Sequence, residues 1–558
     1  MGRSRGSSWG VVLALLVLGA IALEAPLPAR GEEPASPAAT AYPLGTSLQV
    51  LERDLTSPEY LEVLETMIPT DLAAEWKRVA TEDNYETFLQ KHGGREKVFA
   101  DPQLKQAYER RKEIADRFLD LMRKAYAKRK QKAPFDNGET IDLLQAGSVT
   151  ATAEKAKSLP VRVVMPVAGA ERQWPRFRGP SGQGDAIDTD FPLTWSETEN
   201  VLWKTELPGV GNGSPIVWDD RIFLTAAAAD GTTRWVLCFA RDTGKELWRR
   251  EAPKPETQEK LYWKNSYASA TPVTDGERVV ALLGNSGLIC FDFEGNQQWH
   301  RDLGEFSTTH GPGTSPLLYK DKVIVLQDQN RADSVFAAFD KKTGKTVWER
   351  ERPRSMGWST PVILRIGDRD VLVYNGSNKI VAYDPETGES LWTVGGSSIE
   401  SIPTIVVGDG LIYSTSGRNG PSLALRPTLE GEQTQMHVEW KLPRGGPHVP
   451  SPAYHDGRLY IVNDTGIGTC LDASNGKTLW QQRLRGRFSM SPIVAGDRIL
   501  VTSETGTTYV LKAGPEFEIL ATNELNDDVL ATPAVLGGRL YFRTKTQLLC
   551  IAADAGKE

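Results

Sequence analysis

Four cysteines, six histidines and seven methionines in 558 residues leave little material for soft-metal or redox chemistry. Cys238, Cys290, Cys470 and Cys550 are never adjacent, and no C-x-x-C-H is present, which excludes a covalently attached c-type haem. The histidines are scattered without metal-ligand spacing, and neither a G-x-S-x-G elbow nor a phosphate-cradling glycine loop occurs. Basic residues are not in surplus: 65 Lys and Arg against 72 Asp and Glu give a net charge of -7. A general nucleic-acid binder needs the opposite balance, because it must neutralise phosphates. Long apolar runs are missing as well, apart from one near the N-terminus.

That run, Trp9 to Leu23, follows Arg3 and Arg5 and precedes "LPARGEEP", with Ala29 and Gly31 placed for cleavage after Gly31. It is short for a bilayer span and reads as a secretory signal peptide over residues 1–31, cleaved or kept as an anchor. No cysteine lies near the cleavage point to carry a lipid. The protein is therefore expected in the periplasm or outside the cell, without a transmembrane span after cleavage. Residues 32–55, rich in Ala and Pro, read as a flexible tether. Residues 56–132 read as an α-helical region: Ser57-Pro58 and Asp101-Pro102 are helix starts, and Leu104, Tyr108, Ala115, Phe118, Met122 and Ala125 share one face. Residues 133–172 read as a linker.

What the chain has in abundance is a repeat. An apolar strand begins at Ser-Pro or Thr-Pro at Pro215, Pro272, Pro316, Pro361, Pro452, Pro492 and Pro533, with Ile402-Pro403 as a variant, at intervals of 40 to 57 residues. Each start is followed by short β-rich segments, and usually by a turn such as "AFDKKTGKTVW" or "CLDASNGKTLW". Asp opens this hairpin, Gly closes it with a positive φ, and a Trp follows on the outer strand. Periods of this length mean propeller blades, since one four-stranded blade cannot bury both faces alone. Trp203, Trp248, Trp299, Trp348, Trp392, Trp440 and Trp480 are expected to cover the seams between blades. The eighth blade, started at Pro533, lacks an outer strand, whereas "ENVLWKTELPG" around Trp203 is an outer strand without a blade. The expectation is an all-β, eight-bladed propeller over residues 173–555, its N-terminal strand closing the last blade so that no sheet edge stays open.

The pattern Ala-x-Asp-x-x-Thr-Gly-Lys-x-x-Trp, complete from Ala338 to Trp348, resembles the tryptophan-docking repeat of pyrroloquinoline-quinone-type propellers. Two branches share it: quinoprotein alcohol dehydrogenases and non-catalytic proteins similar to BamB, the outer-membrane-protein assembly factor. The start "WPRFRGPSGQG" at Trp174 is also similar to secreted proteins of planctomycete-type bacteria. The dehydrogenase resemblance implies adjacent cysteines over the quinone and Glu, Asn and Asp around calcium. Here the cysteines instead fall at one repeat position, where other blades carry Ala338 or Ala382, so they read as small core residues.

Up-and-down strand order puts the loops leading into inner strands and those between second and third strands on one face. They carry Lys264, Tyr267, His310, Trp358, Arg418, Asn419, His448, Asp464, Arg487 and Glu504, expected to form a polar mouth for a ligand or partner. No catalytic residue, metal or cofactor is expected. The expected role is a non-catalytic, exported scaffold of the cell envelope with a protein or peptide partner, similar to BamB. A quinone- and calcium-dependent dehydrogenase with a degenerate site, or a propeller that binds a small ligand or glycan, are the alternatives.

Overall fold

A computed structural model describes residues 91–92, 95–110, 157–430 and 433–553. The signal peptide, the tether and most of the helical region lie outside these residues. Within the helical region, Arg95–Ala100 is an α-helix. A second helix starts behind Asp101, whose carboxylate accepts the N–H groups of Gln103 and Leu104 at 2.8 and 3.2 Å, as an N-cap does. The chain divides into units at residue 152, and the second unit is the propeller.

Eight antiparallel sheets follow one another around the ring. In chain order the blades span residues 216–251, 273–301, 317–349, 362–395, 406–442, 453–483, 493–524 and 534–551. The last has only three strands of its own. Val201–Glu206 supplies the fourth, pairing Trp203 with Cys550, so the ring closes as the repeat count requires. Residues from the end of the expected linker also enter the sheets. Val161–Val163 pairs with the inner strand of blade 4 and Lys157–Ser158 with the third strand of blade 5. Two- and three-residue strands flanking Pro160 are too short to show the alternation by which strands are read from sequence.

Seven of the eight blades repeat one packing device, and blade 7 pairs Val510 with Ala521 at the same place. On the third strand a small residue faces the residue of the outer strand that precedes a break in register: Cys238 faces Trp248, Ala338 faces Trp348 and Cys470 faces Trp480. The bulge that follows sharpens the local twist and turns the indole toward the next blade. There its N–H donates to a backbone carbonyl of the neighbour's turn. Trp203 donates to Arg241, Trp248 to Phe293, Trp299 to Lys341, Trp348 to Pro385, Trp440 to Ala473 and Trp480 to Gly514, over 2.7 to 3.3 Å. Gly344 shows why the turn keeps glycine. Its φ is +68°, and a Cβ there would sit 2.7 Å from the Trp299 ring. Trp392 has no such dock. The matching hairpin of blade 5, Ser422–Glu430 with Gln433–Leu442, is a longer ladder, and Trp392, half buried, packs against the apolar cluster between blades 4 and 5.

A second belt runs close to the axis and accounts for the Ser-Pro and Thr-Pro starts. At five of the eight starts the residue before the proline gives its backbone N–H to the hydroxyl at the same position of the next blade: Ser214 to Thr271, Thr271 to Ser315, Ser315 to Thr360, Ser451 to Ser491 and Ser491 to Thr532. At blade 5, Ile402 has no hydroxyl, and the N–H of Thr404 makes the bond to Ser451. Proline holds the preceding residue extended, which aims these groups sideways between blades.

The segment from Trp174 to Gly184 crosses the channel and touches inner strands around the ring. Trp174 exchanges backbone hydrogen bonds with Val217 of blade 1, and Pro175 accepts from Thr274 of blade 2. The Gln183 side chain bonds Ile405 and Val407 of blade 5. Arg178 donates to the carbonyl of Pro452, and Gly184 accepts from Val494 of blade 7. The channel is thus plugged from the face opposite the mouth.

Trp348→Ala is expected to cost about 3–5 kcal/mol in a denaturant melt, since it removes a buried aromatic and its seam bond. Ser451→Ala leaves the buried Thr404 N–H without an acceptor and should cost about 1–3 kcal/mol in the same measurement. A change within error for either would show that its belt contributes nothing to the ring.

Candidate functional site

The mouth is built by loops from six consecutive blade positions. The connection from blade 1 to blade 2, residues 252–272, is the longest between blades and reaches blade 7. Its Lys264 ammonium lies 2.6 and 2.8 Å from the two carboxylate oxygens of Glu504 on blade 7, and Ser489 donates to the same carboxylate at 2.7 Å. The strap is held at its sides as well. Asn212 donates to the Lys264 carbonyl, the Tyr262 N–H to the His310 carbonyl, and the Asn265 amide to His310 and Pro312.

On the other side of the axis three predicted residues meet on one that the sequence reading missed. Glu400, in the loop entering blade 5, has His448 Nε2 at 3.1 Å, Arg418 Nε at 3.4 Å and His310 Nε2 at 3.5 Å. Hydrogen bonds from His310 and His448 hold the Glu400 carboxyl well below the usual carboxylate range, against the opposing effect of burial. Asp464 acts one step back, accepting the backbone N–H groups of His448 and Val449 and so fixing that loop. The His310 ring stands between Tyr262 and Trp358, with centroids 5.3 and 5.4 Å away.

The remaining predicted residues are placed differently. Trp358 is only 8% exposed and gives its indole N–H to Gly311, so it supports His310 from below. The accessible aromatic is Trp263, 76% exposed, with the Lys264 ammonium 5.4 Å from its ring. Tyr267 lies beside the buried Arg234–Glu259 pair, away from Glu400. Asn419 caps the N–H of Gly445, and the Arg487 side chain is exposed. Glu400, Ser489, Tyr262 and Trp263 were missed. The available signal was positional: each lies in a loop entering an inner strand, the class already assigned to the mouth.

The chemistry on offer is hydrogen bonding, ion pairing and aromatic contact. Burial pushes the thiols of Cys238, Cys290, Cys470 and Cys550 up to about 12, so they are poor nucleophiles. The quinone and calcium donor set is not assembled. All four cysteines are sealed within separate blades, and Glu400 is already engaged by two histidines and an arginine. Among the described residues no three His, Cys, Asp or Glu side chains are grouped to hold a metal. Nor is any described helix long and apolar enough to cross a membrane.

Known proteins share the architecture. The family model described as "Outer membrane protein assembly factor BamB" matches residues 232–420 and 431–514. The chain is 23% identical over 255 residues to the outer membrane protein assembly factor BamB of Yersinia pestis, covering 42% of this chain and 59% of that one. It is 29% identical over 350 residues to a tetrathionate hydrolase of Acidithiobacillus ferrooxidans, covering 55% of this chain and 66% of that one. The chain thus spans about six tenths to two thirds of these relatives. Among solved structures, the quinohemoprotein alcohol dehydrogenase of Comamonas testosteroni superposes with a TM-score of 0.50 at 13% identity, covering 70% of this chain and 82% of that one. At that identity the likeness shows the shared fold.

Glu400 makes stability depend on pH. Its folded value lies below the ordinary 4.5, so its contribution is complete above that value and is lost as pH falls through the folded one. Glu400→Gln should therefore melt below wild type near neutrality, with the gap narrowing only in acid below about pH 4.5. Thermal melts across pH check this, and a gap that stays constant into acid would contradict it.

Proposed function

We propose, from the premise that this chain is a PQQ-like β-propeller of the BamB type, that it is an exported, non-catalytic scaffold of the cell envelope whose mouth receives a protein or peptide partner. The observation that carries the proposal is the division of labour at the mouth. Glu400 is bonded to His310 and His448, and Lys264 to Glu504, each across blades, while Trp263 and Arg418 stand accessible at the rim. A fixed floor beneath accessible anchors suits recognition, because little order must be gained on binding. Tryptophan and arginine are also the side chains that carry most contact energy at interfaces. Among the described residues of the mouth, the Ser489 hydroxyl does meet a carboxylate, that of Glu504, but the Lys264 ammonium holds both oxygens of that carboxylate and so weakens it as a base. Export rests on the basic and apolar N-terminal stretch, and the kind of partner on the relatives named outer membrane protein assembly factor BamB.

The double variant Trp263→Ala, Arg418→Ala should lose co-purification of the envelope partner by at least tenfold, with its melting temperature within about 1 °C of wild type, because both side chains are largely exposed. An unchanged interaction profile would refute the mouth as the docking surface.

A further inference from the structure

A partly open cavity lies between the plug and blades 3 to 5, with a free volume of about 10 Å³. Arg176 and Gly182 of the plug line it, together with Thr360 and Thr404. The cavity sits at the interruption of the inner belt, where Ile402 brings no hydroxyl to follow Thr360. Two donors are left over there. Arg176 Nη2 and Thr404 Oγ1 are both buried with no hydrogen-bond partner among the described residues.

Charge separates the candidate occupants. Arg176 is 3% exposed, and its Nε donates to a carbonyl, that of Pro180, at 3.1 Å. Arg178, 0% exposed, likewise donates to carbonyls, those of Gln183 and Pro452. A single carboxylate, Asp185, acts on both guanidiniums without a direct hydrogen bond to either, and it already accepts from Ser181. Of the other deeply buried arginines, Arg234 and Arg352 each lie 2.6 Å from a carboxylate oxygen, of Glu259 and Asp328, while Arg543 donates only to the carbonyls of Gly213 and Thr225. Burial lowers Arg176 to about 10, partly offset by Asp185. A buried cation without a partner is costly, and a water molecule would satisfy the two donors without neutralising it. An anion does both.

We infer that this cavity binds one halide-sized anion, chloride in an extracellular medium, held by Arg176 Nη2 and Thr404 Oγ1 and completing the belt between blades 4 and 5. The two buried donors and the guanidinium charge suit a single small anion.

Two measurements test this. Crystals of the wild-type protein soaked in bromide should show an anomalous peak in contact with Arg176 Nη2 and Thr404 Oγ1. In solution, replacing gluconate by chloride at constant ionic strength, from about 1 to about 100 mM, should raise the melting temperature by a few degrees, as a ligand bound only to the folded state does. Thr404→Val and Arg176→Met should each abolish that rise, and Thr404→Val keeps the test open should Arg176→Met not fold. The assignment is overturned by a bromide map without a peak at the cavity, which would leave water as the occupant. It is equally overturned by a wild-type melting temperature indifferent to chloride, or by a chloride effect that survives in Thr404→Val.

Discussion

The seam between neighbouring blades is the constraint on which the molecule depends. Each blade is a four-stranded sheet with two apolar faces, and it stays folded only while both seams are made. Apolar contact supplies most of the stabilisation but has no direction, so it cannot fix the angle at which eight blades close. Direction comes from two polar belts. Outside, an indole N–H is tied to the carbonyl of the next blade's turn, as Trp348 is to Pro385. Inside, a backbone N–H is tied to the next blade's hydroxyl, as Ser451 is to Ser491. The closing strand around Trp203 belongs to both ends of the chain at once, pairing with blade 8 and docking on blade 1.

Much of this was legible because both belts rely on residue types that recur at a fixed period. The exceptions show what a repeat leaves out. Trp392 carries nearly the whole motif upstream of it, with Glu389 in place of the Lys, yet it lacks a dock, because docking also needs the short turn one blade later and blade 5 has a long hairpin there. A sequence motif displays the donor and says nothing of its acceptor. The Ser-Pro starts were visible as strand markers, but their bonds join residues about 40 to 57 positions apart and emerge only once the ring is formed. "WPRFRGPSGQG" likewise reads as the start of a domain, and its role as the channel plug depends on partners spread over the whole ring.

The same reasoning separates the mouth's floor from its rim. Topology alone brought His310, Arg418 and His448 to one face, and the structure joins them through Glu400, a loop carboxylate with no motif around it. Trp358 and Trp263 illustrate the limit in the other direction. Both are loop tryptophans in sequence, but one is packed under a histidine and the other stands in solvent at the crest of the strap. In the proposed role, recognition falls to residues that packing leaves free, and rigidity to those it does not.

The central claim is that partners meet this propeller at its mouth and not at the opposite face of turns. A photo-crosslinking residue placed at Ile399, beside Glu400, or at Asp456, on an exposed turn of the far face, tests it in intact cells that export the protein. The account predicts discrete protein adducts from position 399 and none above background from position 456. Adducts formed from position 456 alone, or equally from both, would contradict it.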